Sequence, residues 1–103
     1  MRHAAAAFVA ILLADDLWVT DAVRVLQRHI EAHPGADVFH SSRAVIDEAG
    51  VRISSVYPSR AHFTLADFVW TSPVKHLLCW RRDTALALGG MDESLPDVGP
   101  DDY

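Results

Sequence analysis

Cysteine is nearly absent from this chain: its 103 residues include one, Cys79. A single thiol closes no internal disulfide, which excludes a disulfide framework and a cysteine-based zinc cluster. Glycine and proline number 5 each, too few for a collagen-like or low-complexity chain. The longest apolar run, Ala4 to Ala14, is only about half the roughly 20 residues that cross a bilayer as a helix. Basic residues are scarce as well, 9 against 14 acidic, for a formal net charge of −5. Phosphate neutralisation needs clustered Lys and Arg, so this balance argues against a general nucleic-acid binder.

What remains is a chain half hydrophobic and 22% charged, the composition of one small folded domain. Its acidic excess is segregated. Residues 15–21 hold Asp15, Asp16 and Asp21 and no base. Residues 83–103 hold Asp83, Asp92, Glu93, Asp97, Asp101 and Asp102, again with none. The stretch between has eight basic and five acidic residues. If the fold brings the two acidic segments together, their repulsion calls for a cation, and hard divalent ions such as Mg²⁺ or Mn²⁺ prefer oxygen ligands. Two solvated acidic loops are the plainer alternative.

The apolar start reads in two ways. Arg2 followed by an apolar run has the layout of a signal peptide, but Leu12-Leu13-Ala14 puts a bulky residue where a cleavage site takes a small one. Phe8 to Leu13 reads instead as a fully buried strand, as in parallel or mixed sheets, ending at two acids. Thr20 then suits an N-cap with Asp21 in the first turn. Ala22, Val23, Leu26 and Ile30 recur at helical spacing until Pro34-Gly35. Ala36 to His40 is expected as a strand, Ile46 to Gly50 as a turn, and Val51, Ile53 and Val56 as β-branched pieces. Thr64 to Trp70 is expected as a short helix with Asp67 in its first turn, and Val74 to Trp80 as a strand. Asp83 is placed as the cap of a helix over Thr84 to Leu88, stopped by Gly89-Gly90. Strands alternating with helices point to an α/β layered architecture.

Three segments carry a resemblance. Phe8-Val9-Ala10-Ile11-Leu12-Leu13-Ala14-Asp15-Asp16-Leu17-Trp18 resembles the strand and Asp-rich DxD-type motif of family 2 glycosyltransferases, which have the GT-A fold. Arg81-Arg82-Asp83 through Gly89-Gly90-Met91-Asp92-Glu93 is similar to that family's RR…GGFDE segment. Gly99-Pro100-Asp101-Asp102-Tyr103 resembles its G-x-E/D-D-Y segment. A helix, a strand and an ID-E-x-G turn lie between the first two, in the family's order. The resemblance covers nearly all of this chain but only the second half of the family's catalytic domain. A nucleotide-binding half is therefore expected to precede residue 1, and the isolated chain is expected to be weakly active at most.

The resemblance implies an inverting, metal-dependent transfer of a sugar from a nucleotide-diphosphate donor to an acceptor hydroxyl, in a cytoplasmic or membrane-peripheral enzyme. Departure of the diphosphate develops negative charge that a carboxylate-held Mn²⁺ or Mg²⁺ stabilises. Such acids belong at the C-terminal end of a strand, where open α/β sheets bind ligands. The resemblance makes Asp15 a metal ligand and Asp16 a second ligand or diphosphate-site residue. Leu13 and Ala14 stand where the family often has further acids. A polar turn is the structural alternative for the Asp15-Asp16 pair. By the same resemblance Asp102 is the general base that takes the acceptor proton, Asp101 the acid before it, and Asp92 and Glu93 acceptor-side residues. An acidic tail and a turn are the plainer readings of these four.

Other residues point less sharply to chemistry. His29 and His33 are four apart on the expected helix and could share a metal, although no third ligand is apparent. His76 and Cys79 read as core residues on opposite faces of a strand, and Arg81-Arg82 as a phosphate contact or a solvated strand end. Trp18, Trp70 and Trp80 are expected in the core. A sugar nucleotidylyltransferase would need a Gly-rich phosphate loop, which the chain lacks. A non-catalytic α/β interaction domain is the alternative from another class.

Overall fold

The computed structural model describes residues 3–74, 77–90 and 94. Helix and strand are mixed: β1 (Phe8–Ile11), α1 (Ala22–Ala32), β2 (Val38–His40), a 3-10 turn η1 (Leu65–Val69), β3 (Leu78–Arg81) and α2 (Arg82–Ala87). The strands form one sheet in the order β1-β3-β2, antiparallel at both junctions. The last strand in sequence is thus the central one. Ala10 and Phe39 both face Cys79 across the ladder, and Phe8 faces Arg81. Partners directly opposite lie on one face of a sheet. That face therefore gathers Phe8, Ala10, Phe39, Cys79 and Arg81.

This face is the best-organised part of the chain. Phe8 and Phe39 meet edge to face at 5.8 Å. Cys79 is 2% exposed, and its burial pushes the thiol pKa up. The Arg81 guanidinium lies 4.7 Å from the Phe8 ring centre. Its Nε donates to Asp37 Oδ1 at 2.7 Å, and its Nη2 donates to the carbonyls of Pro34 and Ala36 at 2.6 and 3.1 Å. Thr84 Oγ1 donates to the same Asp37 oxygen at 3.1 Å. One side chain thus ties β1, β3, the start of α2 and the approach to β2.

The structure corrects several sequence expectations. The apolar run does not form a fully buried strand. All of Phe8–Ile11 is half-buried and Leu12 is 52% exposed, because β1 is an edge strand paired on one side only among the described residues. Asp21, not Thr20, is the N-cap of α1, and its carboxylate pairs with Arg24 at 3.5 Å instead of capping a backbone amide. Arg81 occupies the N-cap of α2, which moves Asp83 into the first turn. The β-branched segment 51–56 forms no strand. Isolated bridges, Ile46 with Arg52 and Arg43 with Tyr57 just beyond it, stand there in place of a ladder. Trp70 is 89% exposed rather than buried, whereas Trp18 and Trp80 are half-buried.

Other local signals act as their chemistry dictates. Thr64 and Asp67 form a reciprocal capping box on η1. Gly89 and Gly90 have φ of 96° and 75°. Their N–H groups donate to the Leu86 and Ala85 carbonyls at 3.0 and 2.9 Å, a Schellman stop that needs left-handed backbone. Among the described residues no helix is long and apolar enough to cross a membrane.

Candidate functional site

Directly after β1 the chain turns, with the Asp16 N–H donating to the Leu13 carbonyl at 3.2 Å. β1 ends at Ile11, and Leu12, Leu13 and Ala14 carry the chain on to two adjacent acids. Asp15 is exposed and Asp16 half-buried. The two acids lie four and five residues past Ile11, beyond the C-terminal end of β1 rather than directly on it.

A second pair of acids faces the same space. Ala14, Asp15, Asp16 and Leu17 line an open depression of about 420 Å³ together with Ile46, Asp47, Glu48 and Gly50. About thirty residues separate the two segments in sequence. The second is a tight turn built by its own side chain: Asp47 Oδ1 accepts the N–H of Ala49 and of Val51, both at 2.9 Å. The Asp47 N–H donates to the Val51 carbonyl and the Gly50 N–H to the Asp47 carbonyl, each at 2.9 Å. Gly50 has φ 78°, which is why glycine stands there. Asp47 therefore spends one carboxylate oxygen on its own backbone, and Glu48 is exposed.

Four carboxylates give the depression the oxygen-donor chemistry that suits a hard divalent cation. Among the described residues, however, no three His, Cys, Asp or Glu side chains converge closely enough to enclose one. The donor type fits Mg²⁺ or Mn²⁺, while the shell these residues supply is incomplete. An ion there would need water or a ligand's own phosphate oxygens.

Asp92, Glu93, Asp101 and Asp102, together with His76, lie outside the described residues. Whether the two acidic segments meet rests on these residues. Arg81 has its guanidinium engaged within the protein rather than presented to a phosphate. Arg82 donates its backbone N–H to Ala7 and lies 3.9 Å from the Asp83 carboxylate. His29 and His33 are exposed on α1 with rings nearly parallel.

Sequence reasoning recognised the turn at Ile46 to Gly50 but missed Asp47 and Glu48 as lining residues. The available signal was a second adjacent acid pair leading into a glycine turn. No known family, curated protein or solved structure matches this chain.

Proposed function

We propose that the chain is part of a glycosyltransferase of GT-A type, transferring a sugar from a nucleotide-diphosphate donor to an acceptor hydroxyl with inversion. The observation that carries the reading is the pair Asp15-Asp16 in the turn beyond β1, opening on a depression shared with Asp47 and Glu48. Adjacent carboxylates offer the oxygen donors that a hard divalent cation takes. A volume of about 420 Å³ lies within the 300–1,000 Å³ usual for small-molecule sites. A Mn²⁺ or Mg²⁺ ion held by Asp15 and Asp16 would supply charge stabilisation for the departing diphosphate. Asp102 is the proposed base for the acceptor hydroxyl, with Asp101 beside it, and Asp92 and Glu93 contact the acceptor.

Binding of nucleotide-diphospho-sugars with and without Mn²⁺, measured by calorimetry, tests the reading. Binding should require the ion and weaken in Asp15→Asn. In a form of the protein with measurable transfer, Asp102→Asn should slow turnover by about 10²–10⁴-fold while donor binding stays near wild type. Ion-independent binding, or full turnover without the Asp102 carboxylate, would contradict the assignment.

A non-catalytic interaction domain is the second reading. It is favoured by the apolar side chains left on the surface, Leu65 and Trp70 at 89% exposure among them. Such a domain binds no nucleotide-sugar at any ion concentration, so the same titration separates the two.

A further inference from the structure

We propose that the open edge of β1 pairs, antiparallel, with β1 of a second copy of this chain, joining two sheets into one. The ladder fixes which backbone groups of β1 are free. The Arg82 N–H donates to the Ala7 carbonyl at 2.9 Å on the β1 side of β3. On the β2 side, the Arg81 N–H donates to the Asp37 carbonyl at 2.7 Å and the Ser41 N–H to the Leu77 carbonyl at 3.1 Å. Val9 stands opposite Trp80 and Ile11 opposite Leu78, so Ala7, Val9 and Ile11 turn their backbone groups toward β3. Phe8 and Ala10 therefore turn theirs outward. Among the described residues, those N–H and C=O groups have no hydrogen-bond partner.

Exposed edges normally carry a guard: a charge, a proline, a bulge or a very short strand. β2, the other edge, is three residues long and ends on His40. β1 has no guard, since residues 4–14 are apolar throughout, and Leu12 just beyond it is 52% exposed. A bare apolar strand edge fits another strand. This one matches itself when reversed. Pairing centred on Ala10 sets Ala10 against Ala10, Phe8 against Leu12 and Val9 against Ile11. Every cross-strand pair is then apolar, and Leu12 gains a cover. Charge fixes the direction. Arg2-His3 precede the run and Asp15-Asp16 follow it. Antiparallel pairing sets the basic end of one copy beside the acidic end of the other, whereas parallel pairing sets acids against acids. Antiparallel self-pairing is two-fold symmetric, so the assembly closes at two copies with the short β2 edges outermost. The inference does not rest on the glycosyltransferase reading, and either can fail alone.

Sedimentation equilibrium of the full chain from micromolar to millimolar concentration, paired with amide hydrogen exchange, tests the assignment. A monomer–dimer equilibrium is expected. The Phe8 and Ala10 amides should gain protection as the dimer fills, while those of Val9 and Ile11 are protected throughout. Ala10→Pro deletes an outward donor and leaves the β3 ladder intact, because an edge strand accepts proline where the lost N–H faces away from the sheet. It should raise the dimer Kd by about 100-fold, since symmetric pairing loses two hydrogen bonds and meets two proline rings. Leu12→Lys, beyond the end of β1, should raise it by at least about tenfold by setting an ammonium against Phe8 of the second copy. Protection of the β3 amides reports that each variant keeps its sheet, and the two variants check each other. Trp70→Ser, at an 89% exposed position on the η1 side, should leave the Kd unchanged. A chain monomeric at millimolar concentration would overturn the proposal and leave the edge to a strand from elsewhere. So would a dimer that persists in both variants, one whose Phe8 and Ala10 amides exchange freely, or one that Trp70→Ser dissolves.

Discussion

Around β3 the chain is tied by backbone ladders on both sides of the strand, by the buried Cys79 and by the Arg81 guanidinium. Between β2 and η1 it is tied by isolated backbone bridges, such as Arg43 with Tyr57, and by polar side chains reaching for backbone. Ser54 Oγ accepts the Val45 N–H at 2.8 Å, Ser42 Oγ the Ser59 N–H at 2.9 Å, and Asp47 two amides. Val45, Val51, Ile53 and Val56 are all exposed there, so little apolar burial supports those bonds. The first region has cooperative, partly desolvated contacts, whereas the second is a chain of local solvent-facing ones. Such segments open at lower free energy than sheet cores. The depression is lined by two turns, one past β1 that carries Asp15-Asp16 and one in the second region that carries Asp47-Glu48.

The sharpest way to break this contrast is Arg81→Ala. It removes the charged donor to Asp37, two donations to carbonyls and the contact with Phe8. Charge-assisted hydrogen bonds and a cation–aromatic contact together suggest a loss of about 2–3 kcal/mol, or roughly 10 °C in Tm. A thermal melt like that of wild type would show that the sheet region does not depend on this tie.

Asp47→Ala should have a smaller and more local effect. The Ala49 and Val51 amides lose their acceptor at a cost of about 1 kcal/mol. Hydrogen exchange at those amides should accelerate while the β3 amides and Tm stay nearly unchanged. Loss of β3 protection would mean that the two regions unfold as one unit.

The smallest effect concerns Asp67. Its pKa is held below the usual carboxylate value chiefly by the Thr64 backbone N–H, and by Arg60 beside it. A carboxylate with a depressed folded pKa stabilises when ionised. Its contribution is present above the ordinary value of about 4 and lost as pH falls through the lower folded value. Acid titration should therefore release the Thr64 amide signal below about pH 4, before the Arg81 ties to carbonyls change. Release of both at the same pH would erase the distinction between the regions.

Helix, turn and strand identities were legible wherever local chemistry decides them. The 3.6-residue spacing of Ala22, Leu26 and Ile30 produced α1, and Gly89-Gly90 stopped α2. Caps were less legible: Asp21 rather than the adjacent Thr20 precedes α1, and Arg81 precedes α2 although Asp83 carries the stronger intrinsic preference. Burial was least legible. A fully buried strand was read from the apolar run at Phe8, yet burial depends on how many neighbours pack against an element. That is a property of the whole assembly rather than of the segment. Likewise Asp15-Asp16 could be found from the strand before them. Their meeting with Asp47-Glu48 depends on how the chain returns across the end of the sheet, which no local pattern encodes.

The claim on which the functional reading depends is that these two acid pairs make one ligand site. Paramagnetic broadening by Mn²⁺, added substoichiometrically with a nucleoside diphosphate and read at every backbone amide, tests it most directly. The account predicts that amides 14–17 and 46–50 broaden together, and that Asp15→Asn abolishes the effect in both segments. Sharp signals at 14–17 while other residues broaden, or broadening at 46–50 that persists in Asp15→Asn, would contradict it.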